Sequence, residues 1–207
     1  MNSLENYLVD EENMVIKLLT PAFSKTSLEP GYIKSYIPGV RENGGQYTHG
    51  AVWSIIANAI LGNTKRAARY FRIINPIEHA RTKEAALKYR VEPYVVAADV
   101  YSNVNMLGRG GWTWYTGSSS WFYIAGLEYV LGIKKKNNKL VINPCIPKEW
   151  EAYSLNYKYK DAEYIVNVYN TSQNGKEIRT IYLDNDEVKT NEIAMQEEGM
   201  HTIDVIL

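Results

Sequence analysis

The chain has 207 residues, 45% of them hydrophobic and 22% charged, with Lys plus Arg equal to Asp plus Glu at 23 each. That length can bury a real core as one large domain or two small ones, and the balanced charge offers no basic stripe for a nucleic-acid partner. One cysteine, Cys145, excludes an intramolecular disulfide framework.

The N-terminus, MNSLENYLVDEEN, lacks the basic-then-apolar form of a secretory signal. No apolar run approaches the ~20 residues that cross a bilayer, so a cytoplasmic protein is expected. An acidic, helix-compatible segment over Asp10 to Leu19 is halted by Thr20-Pro21. Pro21, Ser24, Thr26, Ser27 and Pro30 then mark a loop. From Thr48 a helix begins, with Val52, Ile56, Ala59 and Ile60 on one face, and Gly62-Asn63 stops it. Thr64 is expected to cap a second helix, in which Ala67, Tyr70, Phe71 and Ile74 repeat at three and four. The tight turn between them makes an antiparallel hairpin.

Asn75-Pro76 breaks the second helix. A short helix is expected near Thr82 to Tyr89 with Thr82 as its cap, and another from Pro93 through Val95 to Tyr101. A further helix covers roughly Ser119 to Leu131 and ends at Gly132. Lys134-Lys135-Lys136, beside Asn137-Asn138, reads as a solvated turn. Beyond it the period becomes two, with strands expected at Lys139 to Ile142, Tyr153 to Tyr159, Glu163 to Tyr169, Glu177 to Leu183 and His201 to Ile206. Leu155, Tyr157 and Tyr159 share one face, as do Ile165 and its i+2 partners. Helices first and strands last give a segregated α+β chain, or two domains.

Two loops carry the chemistry, and both open into helices. In the first, Gly31 to Trp53, Gly44-Gly45 lets backbone amides approach a ligand. His49 stands in the first turn of a helix, where donors and the dipole favour an anion; it either completes a phosphate site or helps cap its own helix. Arg41 and Glu42 form a surface ion pair or, beside Gln46, bind hydroxyls in bidentate fashion. In the second loop, Gly108 to Ser120, Thr116-Gly117 supplies a hydroxyl and an amide before another helix. Trp112 and Trp114 alternate around Thr113, so one is expected to face a cleft while the other packs. The two loops are expected to face one another across that cleft. With 17 Tyr and 5 Trp against 3 Phe, the aromatic content suits stacking on sugar rings. Gly108-x-Gly110-Gly111 follows no strand of a βαβ unit, so it is no dinucleotide fingerprint. The histidines His49, His79 and His201 are far apart, no metal-ligand spacing occurs, and Cys145 reads as a small buried side chain.

Together PGVRENGGQYTH, VEPYVVAADVY, GRGGWTWYTGSS and PCIPKEW resemble the C-terminal part of the glycoside hydrolase family 94 phosphorylases. That family includes cellobiose and chitobiose phosphorylases and the phosphorylase-like module of cyclic β-1,2-glucan synthases. INPIEHAR with YRVEPYVVAADVY is most like the β-1,2-glucan members, and the likeness runs from about Tyr7 to about Tyr169.

The resemblance implies the C-terminal part of an (α/α)6 barrel in residues 1–136 and a small antiparallel β domain in 137–207. It implies inverting phosphorolysis: inorganic phosphate, the co-substrate, attacks the anomeric carbon of a β-linked gluco-oligosaccharide and releases α-glucose 1-phosphate, with no cofactor or metal. One carboxylic acid protonates the leaving oxygen, unlike the two-carboxylate hydrolases. The resemblance also implies phosphate binding by His49, Thr116 and Gly117, and leaving-sugar contacts from Arg41, Glu42, Tyr36 and the neighbouring Gln46. The family's general acid, an Asp, precedes the matched segments, as does a further phosphate-binding Arg. No catalytic residue is therefore assigned here, and neither Asp99 nor Glu92 has a family role as proton donor. The expectation is a fragment that another chain carrying the first half of the barrel would complete, or a degenerate remnant. The alternative is a non-catalytic carbohydrate-binding module.

Overall fold

Near the N-terminus, Asp10 competes with helix formation. Its carboxylate accepts the Asn13 N–H at 3.1 Å and the Asn13 side-chain amide at 3.0 Å, which closes a turn in place of a helical hydrogen bond. The computed structural model describes residues 1–25, 27 and 29–207; Thr26, counted above in the 20–30 loop, lies outside them. Helix α1 (Asn2–Tyr7) is followed by a hairpin of β1 (Val9–Asp10) and β2 (Val15–Ile16), paired Val9↔Ile16 and Asp10↔Val15. The helix expected over Asp10 to Leu19 does not form. β-Branched Val15 and Ile16 are both buried, and they suit the pleat better than a helix.

After a 3₁₀ turn at Gly31–Ser35, β3 (Gln46–Tyr47) runs into α2 (Thr48–Ile60). The buried stripe of α2 is Ala51, Val52, Ile55 and Ala59 together with polar Ser54 and Asn58, while Ile60 is 70% exposed. The expected face was rotated because hydropathy alone does not count buried polar positions. In α3 (Thr64–Ile74), Ala67, Tyr70, Ile73 and Ile74 are buried, and Phe71 stacks on Phe122 at 4.3 Å. Its cap is Asn63, whose side chain accepts the Arg66 N–H at 3.2 Å, one residue before the Thr64 expected. Asn75 caps the short α4 (Pro76–His79) by accepting the Ile77 N–H. Thr82 caps α5 (Lys83–Tyr89) by accepting the Ala85 N–H at 3.1 Å, and Arg90 ends it at φ +57°.

The helix expected from Pro93 to Tyr101 is replaced by β4 (Asp99–Val100), which pairs antiparallel with β3, Gln46↔Val100 and Tyr47↔Asp99. Ala98 N–H donates to Trp112 O and Tyr101 N–H to Arg109 O, so backbone donors a helix would use internally go to the second loop. Helix α6 (Ser118–Ile124) continues as a π-helical stretch, Ala125–Val130. Gly132 then turns at φ +72°.

From there the chain is β. The lysine run lies in β5 (Ile133–Lys136), which turns at Asn137 (φ +58°) into β6 (Lys139–Ile142). The expected turn is thus confined to the asparagines; Lys134 pairs with Glu128 at 3.0 Å. Then come β7 (Ala152–Tyr159), β8 (Asp161–Tyr169), β9 (Thr180–Leu183), β10 (Asp186–Val188), β11 (Glu192–Ala194) and β12 (Glu198–Ile206). One sheet has the order β11-β6-β5 and the other β10-β9-β12-β8-β7. Not all of it is antiparallel as expected: β12 enters between β9 and β8 and runs parallel to β8, from Glu198↔Asp161 to Ile206↔Tyr169. On β8 the buried face is Ala162, Tyr164, Val166 and Val168, the face opposite Ile165. With Leu140, Ile142, Ile146, Ile203, Val205 and Leu207 these residues build one apolar core.

The chain divides into two compact units, residues 1–57 with 69–125, and residues 58–68 with 126–207. In the second, buried Cys145 packs with Ala59 and Ala67, and burial pushes its thiol up to about 11. The architecture is mixed α+β. Among the described residues no helix is long and apolar enough to cross a membrane.

Candidate functional site

The first loop folds back on itself. Gly39 N–H donates to Asn43 O at 2.7 Å, Asn43 N–H to Val40 O at 3.1 Å, and Gly45 N–H to Arg41 O at 3.1 Å. Gly44 sits at φ +88°, and a Cβ there would lie 2.8 Å from Ala22 Cβ, so both conformation and space require glycine. Asn43, wholly buried, holds the loop. Its side-chain amide donates to Phe23 O at 2.9 Å and Tyr36 O at 2.8 Å, and its oxygen accepts the Phe23 N–H at 2.7 Å. From the other side Ser102 Oγ donates to Gly44 O at 2.7 Å and Asn103 Nδ2 to Pro38 O at 2.8 Å. Loops held this rigidly are typical carriers of binding groups.

That frame presents Arg41 and Glu42. Arg41 Nε is 3.5 Å from Glu42 Oε2, and its Nη1 is 3.9 Å from Asp99 Oδ1. The guanidinium lies over the Tyr36 ring at 5.7 Å. Arg41 Nε, Glu42 Oε2 and Asp99 Oδ2 are all buried without a hydrogen-bond partner. Buried polar atoms are rarely left so; two of these, Arg41 Nε and Glu42 Oε2, face each other as an ion pair. Burial pushes the Asp99 carboxyl up and Glu42 adds to the rise, while the Trp112 N–H and Arg41 pull it down; the net is upward. Burial lowers the Arg41 guanidinium, and Asp99 with Glu42 more than offsets it.

Gln46 is placed differently from the sequence expectation. It is 1% exposed, with Oε1 accepting the Ile16 N–H at 2.9 Å and Nε2 donating to Thr48 Oγ1 at 3.4 Å. Its amide braces β3 from within.

His49 stands in the first turn of α2, half-buried. Its ring packs against Trp53 at 5.6 Å and Trp121 at 5.9 Å, and the two indoles meet edge-on at 6.1 Å. A Cβ built on Gly117 would meet His49 Cε1 at 3.9 Å. The structure thus brings His49 to the start of α6. There Thr116 Oγ1 accepts the Ser118 N–H at 3.1 Å and lies 2.7 Å from Ser118 Oγ.

Both loops are laced to one strand. Thr48 N–H donates to Ala98 O, Gly111 N–H to Asp99 O, and Val100 bridges Gly110. Trp112 and Trp114 are both exposed, at 57% and 68%, so neither packs into the scaffold. Trp114 sits at φ +66° and its indole N–H donates to Glu92 Oε1 at 2.8 Å, which holds the Glu92 carboxyl below its ordinary range. Among the described residues no group of three or more His, Cys, Asp or Glu side chains could hold a metal ion.

Sequence reasoning missed Trp53 and Trp121 as walls of His49, Ser102 and Asn103 as buttresses, and the position of Asp99 beside Arg41. The signal for Asp99 was its place in VVAADVY, which reads equally as helix.

The cyclic β-(1,2)-glucan synthase NdvB of Rhizobium meliloti (strain 1021) is 46% identical over 181 residues, covering 87% of this chain and 6% of the synthase. The N,N'-diacetylchitobiose phosphorylase of Vibrio proteolyticus is 28% identical over 81% of this chain and 21% of the enzyme. The solabiose phosphorylase of Paenibacillus borealis is 25% identical over 90% of this chain and 24% of the enzyme. The chain thus spans under a quarter of each of these relatives. Residues 133–176 match the glycosyl hydrolase family 65 C-terminal domain. Residues 1–132 match the catalytic domain of the glycosyl hydrolase 94 superfamily, and the chain belongs to that family.

Proposed function

We propose that this chain carries the phosphate-binding and leaving-sugar parts of an inverting phosphorylase site. The observation that supports it best is the approach of His49 to Gly117. Two segments far apart in sequence meet there, one offering an imidazole at a helix start and the other a hydroxyl and backbone amides, the donor set an anion needs. In the loop that leads into β3, Arg41 and Glu42 offer a guanidinium and a carboxylate, the pairing a ring of hydroxyls needs. Tyr36 supplies an aromatic face behind Arg41.

In this reading inorganic phosphate, held at His49, Thr116 and Gly117, is the nucleophile on a β-linked gluco-oligosaccharide. The leaving sugar rests on Arg41 and Glu42, and the product is α-glucose 1-phosphate. The acid that protonates the leaving oxygen belongs to the part of the barrel outside these residues, whether on the same polypeptide or a partner chain. Fixed donors lower the barrier by holding phosphate in line with the anomeric carbon, without acid or base chemistry of their own. No cofactor enters this scheme, and a site inside the cell would match its phosphate requirement.

The test is titration of inorganic phosphate into the 207-residue chain. His49→Ala is expected to weaken phosphate binding at least tenfold, about 1.4 kcal/mol or more, and Thr116→Val to weaken it less. Equal affinity in wild type and His49→Ala rejects the assignment. The chain by itself is expected to release no sugar 1-phosphate, and release would show that its own residues include the acid.

A further inference from the structure

Asp99 is only 1% exposed along its side chain, it belongs to neither loop, and the reaction scheme above gives it no task. Yet it touches both loops. Oδ1 accepts the Trp112 N–H at 3.2 Å and lies 3.9 Å from Arg41 Nη1, and its backbone carbonyl accepts the Gly111 N–H at 2.9 Å. Across the ladder it opposes Tyr47, two residues before His49. The neighbour at Gly111 is fitted to it: a Cβ there would fall 2.4 Å from Asp99 Oδ1. The second oxygen, Oδ2, is buried without a hydrogen-bond partner.

A buried carboxylate stays charged only where a cation or donors face it. Arg41 is the facing cation and Glu42 the facing anion, with the Tyr101 hydroxyl on the same strand's continuation raised by burial and by Asp99. Arg41 stands at φ +48°, a backbone conformation that a long side chain adopts only where its surroundings hold it. Glu42 alone would draw the guanidinium along the loop. Asp99 draws it toward the second loop and so fixes it between two carboxylates.

We infer that Asp99 is a positioning residue: its buried carboxylate locks the Arg41 guanidinium and the Gly111–Trp112 backbone into one unit, setting the end of the site that receives the leaving sugar. The sugar half of this inference rests on the function proposed above; the locking of Arg41 does not.

The experiment follows the Arg41 side-chain N–H resonance of the full chain against pH, in wild type, Asp99→Asn and Glu42→Gln. Asparagine keeps the size and the acceptor for the Trp112 N–H but removes the charge. In wild type the resonance is expected to be protected from solvent and to shift as a buried carboxyl titrates above the ordinary aspartate range. In Asp99→Asn both features are expected to vanish with the thermal midpoint little changed; in Glu42→Gln the titration persists. An unchanged titration in Asp99→Asn overturns the proposal. A second arm adds a β-linked gluco-disaccharide, for which Asp99→Asn is expected to cut affinity at least tenfold while phosphate affinity stays within twofold. If the disaccharide leaves the wild-type Arg41 resonance unmoved while Asp99→Asn still abolishes the titration, the lock stands and the sugar reading falls.

Discussion

His79 and His201 are both tied to the fold, with opposite consequences for pH. His79 is 5% exposed and stacked on Tyr89 at 4.6 Å; burial pushes its pKa down to about 4, against a backbone hydrogen bond with Ile73 that raises it. In the unfolded chain it titrates near 6.5. Between those values the unfolded state binds more protons, so stability falls as pH drops from 6.5 to 4, by roughly 3 kcal/mol in all. His79→Phe keeps the stacked ring and is expected to flatten that part of a urea-denaturation series; an unaltered slope would show that another group is responsible. His201 behaves the other way. Its Nδ1 lies 2.7 Å from Asp184 Oδ2 and its Nε2 3.1 Å from Glu198 O. The Asp184 hydrogen bond raises the His201 pKa and lowers the Asp184 one. This pair therefore stabilises below 6.5, loses its contribution as pH rises through the raised histidine value, and fails in acid once Asp184 is protonated.

At the scale of elements, Asn43 carries more structure than its place in a glycine-rich loop suggests. Asn43→Ala leaves the Phe23 N–H, Phe23 O and Tyr36 O without their partner, at about 1–3 kcal/mol for each group that stays buried. Faster amide exchange at Phe23 and weaker ligand binding are the expected result, and unchanged exchange there would show that the loop holds without it. Helices with a clear apolar period or a side-chain cap, such as α3 and the Thr82-capped α5, were legible from sequence, and so were β6, β7 and β8. The short hairpin at Val9 to Ile16 and strand β4 were not. Two-residue strands have no period to read, and VVAADVY becomes a strand only because β3 and the second loop take its backbone donors. The approach of His49 to Gly117 follows from two motif-bearing loops that the sequence already sets face to face, whereas Gln46 reads as an exposed loop amide until Ile16 is found against it. Nor does the sequence show that Asp99 and Arg41 meet.

At the scale of the whole molecule, the two compact units have their own cores, and the second depends on β12. Removing residues 198–207 deletes Ile203, Val205 and Leu207, each fully buried, at about 1.5–3 kcal/mol apiece. That loss rivals the ~5–15 kcal/mol total stability of an ordinary domain, and it also separates β8 from β9. The truncated chain is expected to lose amide protection across β7 and β8 while residues 83–100 keep theirs; protection retained in β8 would mean that the β7–β8 hairpin stands alone. Since β12 lies between strands made earlier, the sheet cannot be finished in the order of synthesis. The β7–β8 and β9–β10 hairpins wait with facing edges open, and an open edge accepts any strand of matching pattern. A gap shaped for β12 does not distinguish its own copy from a neighbour's, so crowded refolding favours strand-exchanged pairs of chains over monomers.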